Sequence, residues 1–237
     1  MTDFHSHILP GLDDGSRSIP ESVRMLEMEK EQGVNEVVLT PHFYADRDRI
    51  GSYLEAREKS LQSLLEALPE DMPELYLGAE VAYFPRMGEA DALSELAIRG
   101  TGTILVELPF SQWDEEVCRD LDTMIGRRGL RVILAHLERY TEFQKKRKVL
   151  DEILQMPVYV QLNAGPFSTF FGRRYPMQLV KSGRAVLLGS DCHNTDDRAP
   201  NLKAGRDMIA AKADRDALAR IDTVGRLILN NGVCYKR

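Results

Sequence analysis

Short apolar runs alternate with amphipathic segments along the whole chain. The runs are nearly continuous in valine, isoleucine and leucine, which is typical of parallel strands that are buried on both faces. We therefore predict seven strands, at Asp3–Ile8, Glu36–Thr40, Leu75–Val81, Thr103–Leu108, Arg131–Ala135, Val158–Leu162 and Ala185–Gly189.

The segments between these strands carry signals for the start and the end of helices. Ser18–Glu21 has the pattern of a capping box with proline at the first helical position, and it predicts a helix to about Gln32. Gly33 suits the left-handed residue that follows a helix, and Gly129 and Gly183 recur in the same place before two later strands. Two more helices are predicted, at Leu202–Lys212 and Arg215–Asn230.

Seven strand–helix units in 237 residues predict an α/β protein built as a closed or nearly closed β/α barrel. A doubly wound open sheet is the alternative. The length suits one large domain or two small ones. Because the chain has no repeat, low-complexity segment or flexible linker, we expect residues 1–237 to form a single domain.

Composition and charge narrow the class of protein. Apolar residues make up 43% and charged residues 29%, which is typical of a globular chain. The net charge of −6 argues against a broad cationic surface for nucleic acid. The first ten residues have neither a basic nor a long apolar region, so we expect no signal peptide there. The longest uncharged run, 153–172, contains prolines and amides that a membrane span tolerates poorly. With only three cysteines, an odd count, we expect a cytoplasmic protein.

All the histidines fall at or just past the carboxyl end of a predicted strand. They are His5, His7, His42, His136 and His193. A single histidine is usually structural. If all five were structural, some of them would be expected on helix surfaces, but none of the five falls on a predicted helix. In a β/α barrel these strand ends meet at the face where such enzymes place their chemistry. We therefore expect the five imidazoles to lie together.

Carboxylates occupy matching positions. Glu80 and Glu107 lie within apolar strand runs, where an ionised group is costly unless it is paired or binds metal; a buried salt bridge is the alternative for Glu107. Imidazoles and carboxylates together suit Zn²⁺, Mn²⁺ or Fe²⁺, and at three or four protein ligands per ion the set suits two or three ions. The nine candidate ligands are His5, His7, Asp14, His42, Glu80, Glu107, His136, Asp191 and His193.

Two further aspartates each have two interpretations. Asp3 is either an acceptor for a ligand histidine or a carboxylate that starts a strand. Asp13 either has a role at the site or forms an Asp-Gly type turn with its neighbours.

These motifs resemble the PHP superfamily (polymerase and histidinol phosphatase). The resemblance lies in Asp3–His7, Pro41-His42, Glu80, Glu107, His136 and Asp191–His193. Within that superfamily, three segments are similar to the metal-dependent bacterial protein-tyrosine phosphatases of capsule and exopolysaccharide loci, the CpsB/CapC type. They are His5–Ser16, Ala135–Tyr140 and Ser190–Asn194.

The resemblance implies a distorted (β/α)7 barrel of PHP type, similar to a TIM barrel. It also implies a site for two or three divalent ions, usually manganese, with iron, zinc or magnesium as alternatives, held by the nine residues above. The family's active-site arginines correspond to Arg139 and Arg198. The implied substrate is phosphotyrosine on an autophosphorylating tyrosine kinase that controls polysaccharide chain export. Hydroxide from a metal-bridging water would attack phosphorus without a phosphoenzyme.

Other activities compete with this interpretation. Cys192 and Arg198 have the Cys-x₅-Arg spacing of thiol phosphatases, but Asp196 and Asp197 between them would repel phosphate. A phosphoesterase for a small monoester such as histidinol phosphate would share every metal ligand. A nuclease is disfavoured by the acidic net charge. A non-catalytic binding module would lack some of the metal ligands.

The stretch 167–175 either frames a phosphotyrosine ring or packs on the barrel. The oligomeric state stays open.

Overall fold

Strands and helices alternate along the computed structural model, which describes residues 1–236. The strands are β1 (Thr2–Ser6), β2 (Glu36–Leu39), β3 (His42–Phe43), β4 (Glu74–Leu77), β5 (Glu80–Ala82), β6 (Thr103–Glu107), β7 (Arg131–Leu134), β8 (Tyr159–Asn163), β9 (Ala185–Gly189) and β10 (Cys234–Tyr235). The α-helices are α1 (Ile19–Glu31), α2 (Ile50–Ala67), α3 (Glu115–Gly126), α4 (Lys148–Ile153), α5 (Arg174–Lys181), α6 (Leu202–Lys212) and α7 (Ala217–Leu229).

The strands form two hydrogen-bonded groups that are parallel throughout, except at β10. One group has the order β1-β2-β4-β10 and the other β3-β5-β6-β7-β8-β9. Backbone hydrogen bonds continue the pairing where β2 leads into β3 and β4 into β5. The amide of Gly78 donates to the carbonyl of Leu39 at 2.9 Å, and the amide of Glu80 donates to the carbonyl of Pro41 at 3.1 Å. Each of the pairs β2–β3 and β4–β5 therefore forms one bent strand. The predicted strand Leu75–Val81 is present, but it is interrupted between β4 and β5.

A seam between the first and last long strands closes the ring. The amide of Asp191 donates to the carbonyl of His5 at 2.8 Å, and the amide of His7 donates to the carbonyl of Cys192 at 2.9 Å. The result is the predicted distorted seven-stranded barrel, and the open doubly wound sheet was wrong. The barrel is distorted at the bent strand formed by β4 and β5. Its first half, β4, pairs with the antiparallel strand β10, whereas its second half, β5, pairs with the parallel strand β6.

The helix boundaries follow the sequence signals closely. The hydroxyl of Ser18 accepts a hydrogen bond from the amide of Glu21, and the carboxylate of Glu21 in turn accepts from the amide of Arg17 at 2.8 Å. Gly33 follows α1 with a φ of 81°, a conformation that glycine adopts without steric cost. α6 has the predicted bounds, while α7 begins two residues later than predicted.

Apolar residues fill the barrel beneath its polar carboxyl ends. One buried cluster takes a side chain from each of several strands and is joined by Ile228 and Leu229 of α7. A larger buried cluster packs the outer faces of the strands against the helices. No helix among residues 1–236 is both long and apolar enough to cross a membrane. The polar side chains at the carboxyl ends of the strands therefore lie above a closely packed apolar core.

Candidate metal centre

The carboxylate of Glu80 is the centre of the polar end of the barrel. Its Oε2 lies 3.1 Å from Nε2 of His5, 3.2 Å from Nε2 of His7 and 3.0 Å from Nδ1 of His42. Its Oε1 lies 3.0 Å from Nε2 of His136. Ligand atoms about 2.1 Å from a shared ion lie about 3.0–3.4 Å from one another. One carboxylate thus stands at ligand–ligand distance from four imidazoles.

The remaining predicted ligands surround this centre. Oδ1 of Asp191 lies 3.5–3.6 Å from ring nitrogens of His5, His7 and His193. Asp14 reaches in from a more exposed position, with Oδ1 3.5 Å from Nε2 of His193. Oε1 of Glu107 lies 3.4 Å from Nε2 of His136. The structure therefore brings all nine predicted residues into one cluster, which we call the nine-residue cluster.

The donor set of this cluster fits divalent cations. Within it, three overlapping groups each have ligand atoms within 4.8 Å of one another: His5, His7 and Glu80; His7, Asp14, His42 and His193; and His42, Glu80 and Glu107. Oε2 of Glu80, Nδ1 of His42 and Nε2 of His193 are buried and have no hydrogen-bond partner. A buried polar atom without a partner is costly, and coordination of a cation would satisfy each of them.

Electrostatics also favour positive charge at this centre. Burial alone would raise the pKa of Glu80, but His5 and His136 outweigh it and hold that pKa well below its ordinary range. Burial alone would lower the pKa of His136, but the carboxylates of Glu107 and Glu80 raise it to about 9. The carboxylates therefore stabilise a neighbouring cation strongly, whether it is an imidazolium or a metal ion.

Two ligand candidates have an unusual backbone. His136 follows β7 with a φ of 30°, and Asp191 follows β9 with a φ of 53°. Residues other than glycine rarely adopt this left-handed region, and such strain persists where the surrounding structure fixes it. Here the amide of His136 donates to Oε1 of Gln161 at 2.7 Å, and the amide of Asp191 donates across the barrel seam.

A buried amide network on β8 supports the cluster from below. Oε1 of Gln161 accepts from the amide of His136 and lies 3.3 Å from Nδ1 of His5. Because that oxygen only accepts, a proton on Nδ1 of His5 would satisfy it, and Nε2 would then be available to a cation bound beside Glu80. Nε2 of Gln161 donates to Oδ1 of Asn163 at 3.0 Å, and Nδ2 of Asn163 donates to Asp191 at 2.8 Å.

Sequence reasoning missed both amides because neither is a metal ligand or an acid. The signal that points to them is a glutamine and an asparagine two residues apart on an otherwise apolar strand. Side chains two apart on a strand share a face, and burying two amides on that face requires partners there.

Asp13 orients a predicted ligand. Its Oδ2 lies 2.7 Å from Nδ1 of His7 and accepts from the amide of His42 at 2.9 Å, while its Oδ1 accepts from the amide of Gly15. Burial alone would raise the pKa of Asp13, but these hydrogen bonds hold it well below its ordinary range. A Cβ at Gly15 would lie 2.3 Å from the carbonyl oxygen of His7, so only glycine fits this approach. Asp13 thus forms the turn and also fixes the His7 ring.

Asp3 does not contact a ligand imidazole, so that interpretation was wrong. Its Oδ1 accepts from the backbone amides of His5 and Ser190, and its side chain lies in a buried group with Glu29 and Cys192. The pairing register of β1 with β2 shifts between Asp3 and Ser6. That irregularity interrupts the simple alternation of faces, and it separates Asp3 from the side that His5 faces.

Two arginines flank the cluster on the side of Asp191. NH2 of Arg198 lies 3.0 Å from Oδ1 of Asp191, and NH1 of Arg139 lies 3.6 Å from Oδ2 of the same carboxylate. Both side chains are about two-fifths exposed, at 41% and 43%. One aspartate therefore holds both cationic groups at the rim, where an incoming anion can reach them.

The thiol of Cys192 faces away from this site. Cys192 is fully buried, and its pKa is raised far above the ordinary value by burial and by the carboxylates of Glu29 and Asp3. Phosphate cannot reach such a group, and a thiol with a raised pKa is a poor nucleophile. The Cys-x₅-Arg spacing therefore has no functional geometry here.

The stretch 167–175 was predicted either to pack on the barrel or to frame a phosphotyrosine ring, and its residues differ in burial. Phe167 is buried in the core, so the packing interpretation holds for that residue. Phe170 and Phe171 are 65% and 79% exposed, and the guanidinium of Arg173 lies 5.1 Å from the Phe170 ring. Their contact with a phosphotyrosine ring stays a prediction.

Comparisons with known proteins agree with this geometry. The family model described as "Capsular polysaccharide synthesis, CpsB/CapC" matches residues 1–227. The chain is 30% identical over 233 residues to the tyrosine-protein phosphatase CpsB of Streptococcus pneumoniae, covering 90% of each chain. It is 26% identical over 208 residues to the tyrosine-protein phosphatase YwqE of Bacillus subtilis (strain 168), covering 84% of this chain and 79% of the relative.

A solved structure shares the fold. It is described as YwqE from Bacillus subtilis and CpsB from Streptococcus pneumoniae, unique metal-dependent tyrosine phosphatases. The match has a TM-score of 0.81 at 21% identity and covers 100% of this chain and 97% of the other.

Proposed function

Because this chain belongs to the CpsB/CapC family of capsular polysaccharide synthesis proteins, we propose that it is a metal-dependent protein-tyrosine phosphatase. It is a phosphoric monoester hydrolase that uses no cysteine nucleophile. The observation that carries the proposal is the nine-residue cluster, in which one buried carboxylate, Glu80, stands about 3 Å from four imidazoles. The names of the relatives support phosphotyrosine as the substrate.

We assign the nine residues as ligands of two or three divalent ions, with manganese as the proposed metal and iron, zinc and magnesium as alternatives. When bound, such ions supply hydroxide at neutral pH and neutralise the charge of a phosphate group. The chain's own contribution is to fix the ligands. Asp13 aligns the His7 ring, and Gln161 places the proton of His5 on Nδ1 so that Nε2 is free to coordinate.

We assign Arg139 and Arg198 to the phosphoryl group as the catalytic arginines. Guanidinium groups bind phosphate oxygens through paired, charge-assisted hydrogen bonds, and they stabilise the charge that develops during transfer. Asp191 contacts both guanidinium groups, one through each carboxylate oxygen. In this role the two guanidinium groups would hold the phosphoryl group while water attacks phosphorus in line and the phenolate leaves.

The tyrosine leaving group needs little help from an acid on the protein. A tyrosine phenolate has a pKa near 10, so its departure needs less protonation than that of an alkoxide. We therefore assign no general acid.

We further propose that the physiological substrate is phosphotyrosine on an autophosphorylating tyrosine kinase that controls the export of capsular or exopolysaccharide chains. The site would then act in the cytoplasm, and residues 1–237 would work as one phosphoesterase domain. The basis for the partner is the capsule synthesis family to which the chain belongs.

Metal removal tests the proposed function. We expect a chelator to abolish hydrolysis of a phosphotyrosyl peptide and added Mn²⁺ to restore it, with the metal content of the protein measured in parallel. The kcat/KM for histidinol phosphate under the same conditions should be far lower. Hydrolysis that survives complete metal removal, or a large preference for histidinol phosphate, would show that the proposal is wrong.

A further inference from the structure

Two aromatic rings border the nine-residue cluster without belonging to it. Phe110, three residues beyond β6, stacks on His136 with the ring centroids 5.9 Å apart and the planes 20° from parallel. Tyr44, directly after β3, lies 5.0 Å from the ring of His42. His136 and His42 contact different oxygens of Glu80, each at 3.0 Å. The two rings therefore flank the two sides of the central carboxylate.

Phe110 is partly exposed although it is large and apolar. It is 38% exposed, whereas the neighbouring Tyr140, which lies 5.1 Å from it, is completely buried. Contacts with Tyr140 and Phe143 hold the Phe110 ring in place. Because neighbouring rings fix it and part of its surface is open beside the nine-residue cluster, Phe110 offers an apolar contact to a ligand that enters the site.

The same ring supports a phosphate-binding group. The guanidinium carbon of Arg139 lies 4.8 Å from the centroid of Phe110. A phosphate monoester bound at Arg139 would therefore have the Phe110 ring close to it. Tyr44 supplies the second ring, with the guanidinium of Arg47 4.8 Å from its centroid. Aromatic surface therefore borders the nine-residue cluster beside both His136 and His42.

We propose that Phe110 and Tyr44 are the residues that select an aryl leaving group, by packing against the phenyl ring of phosphotyrosine while its phosphate occupies the metal centre. The inference rests on the proposed function and adds the basis of its substrate preference. An aromatic pair in an edge-to-face or offset arrangement contributes about 0.5–1.5 kcal/mol, which corresponds to about 2- to 12-fold in kcat/KM for each ring.

The test compares two peptides of one sequence, one with phosphotyrosine and one with phosphoserine. In the manganese-loaded protein, we expect Phe110→Leu and Tyr44→Leu each to lower kcat/KM for the phosphotyrosyl peptide by about 2- to 12-fold. The phosphoseryl peptide, which has no ring to lose, should change less than about 2-fold by the same reasoning. Tyr44→Phe keeps the ring and should keep the preference. Leu227→Ala, at an exposed apolar residue on α7, should change neither rate.

Equal losses on both peptides would overturn the proposal, because they would mean that the rings only hold His136, His42 or Arg139. A second measurement separates this failure from failure of the proposed function. Binding of phenylphosphonate and methylphosphonate, followed by calorimetry, requires no turnover. The parent should prefer the phenyl compound, and Phe110→Leu should reduce that preference. A parent that binds both phosphonates equally well would overturn the inference whether or not phosphotyrosine is hydrolysed.

Discussion

Replacing Gln161 with leucine removes a side chain that contacts three groups at the metal centre. Its Oε1 accepts from the amide of His136 and faces Nδ1 of His5, and its Nε2 donates to Asn163. Leucine fills a similar volume but offers no polar atom. The change therefore tests whether the amide network prepares the ligands or merely fills space.

The structure sets the size of two separate effects. The amide of His136 and Oδ1 of Asn163 lose a partner in a buried place, and each such group costs about 1–3 kcal/mol. The free energy of unfolding of the metal-free protein should therefore fall by about 2–6 kcal/mol. A typical domain has about 5–15 kcal/mol to lose, so a loss in the lower half of the expected range leaves the variant folded. Manganese affinity should fall by about 10- to 100-fold, because His5 loses the acceptor that orients it.

Titration of the metal-free protein with Mn²⁺ measures the second effect, and urea unfolding of the same preparation measures the first. Gln161→Glu is the matched control. Its carboxylate still accepts from the His136 amide and from His5, so we expect it to bind manganese at least ten times more tightly than the leucine variant does. Equal affinity in the two variants, or parental affinity in Gln161→Leu, would refute the role assigned to this side chain.

Three other substitutions separate the metal centre from the buried group formed by Asp3, Glu29 and Cys192. Cys192→Ser should keep most of the phosphatase activity, since the thiol is buried away from the site, whereas His136→Ala should remove most of it; the reverse pattern of rates would contradict the metal assignment. Burial and the neighbouring Asp3 raise the pKa of Glu29, so its folded form keeps a proton that the unfolded chain releases above about pH 4.5. Stability should fall as the pH rises from there, and Glu29→Gln should flatten that fall in urea unfolding at pH 5 and pH 8; parallel declines in parent and variant would count against it.

The barrel was predictable because its strands are buried on both faces. Each apolar run is followed by a glycine-rich or polar end, and the seven predicted strands all appear within a few residues of their expected bounds. β10 was not predictable. Its two residues, Cys234–Tyr235, carry no pattern of their own and become a strand only because β4 offers a free edge.

The gathering of the nine-residue cluster also followed from a general rule, since parallel strands in a barrel end on one face. The supporting residues did not follow from it. The side on which Asp3 lies depends on a local shift of register in β1. The roles of Gln161 and Asn163 depend on which backbone amides come within hydrogen-bond distance, which only the packed structure determines.

The seam between β1 and the segment after β9 joins residues that are synthesised early with residues that follow them by 186 positions (His5 and Asp191) and 185 positions (His7 and Cys192). A nascent chain that has emerged only as far as β8 carries His5 and His7 but lacks Asp191 and His193. Its first strand then has an unpaired edge, which is a site of wrong association until the partner arrives. On the proposed function, metal uptake therefore follows translation of the segment after β9, and a product that ends before Asp191 carries no active enzyme.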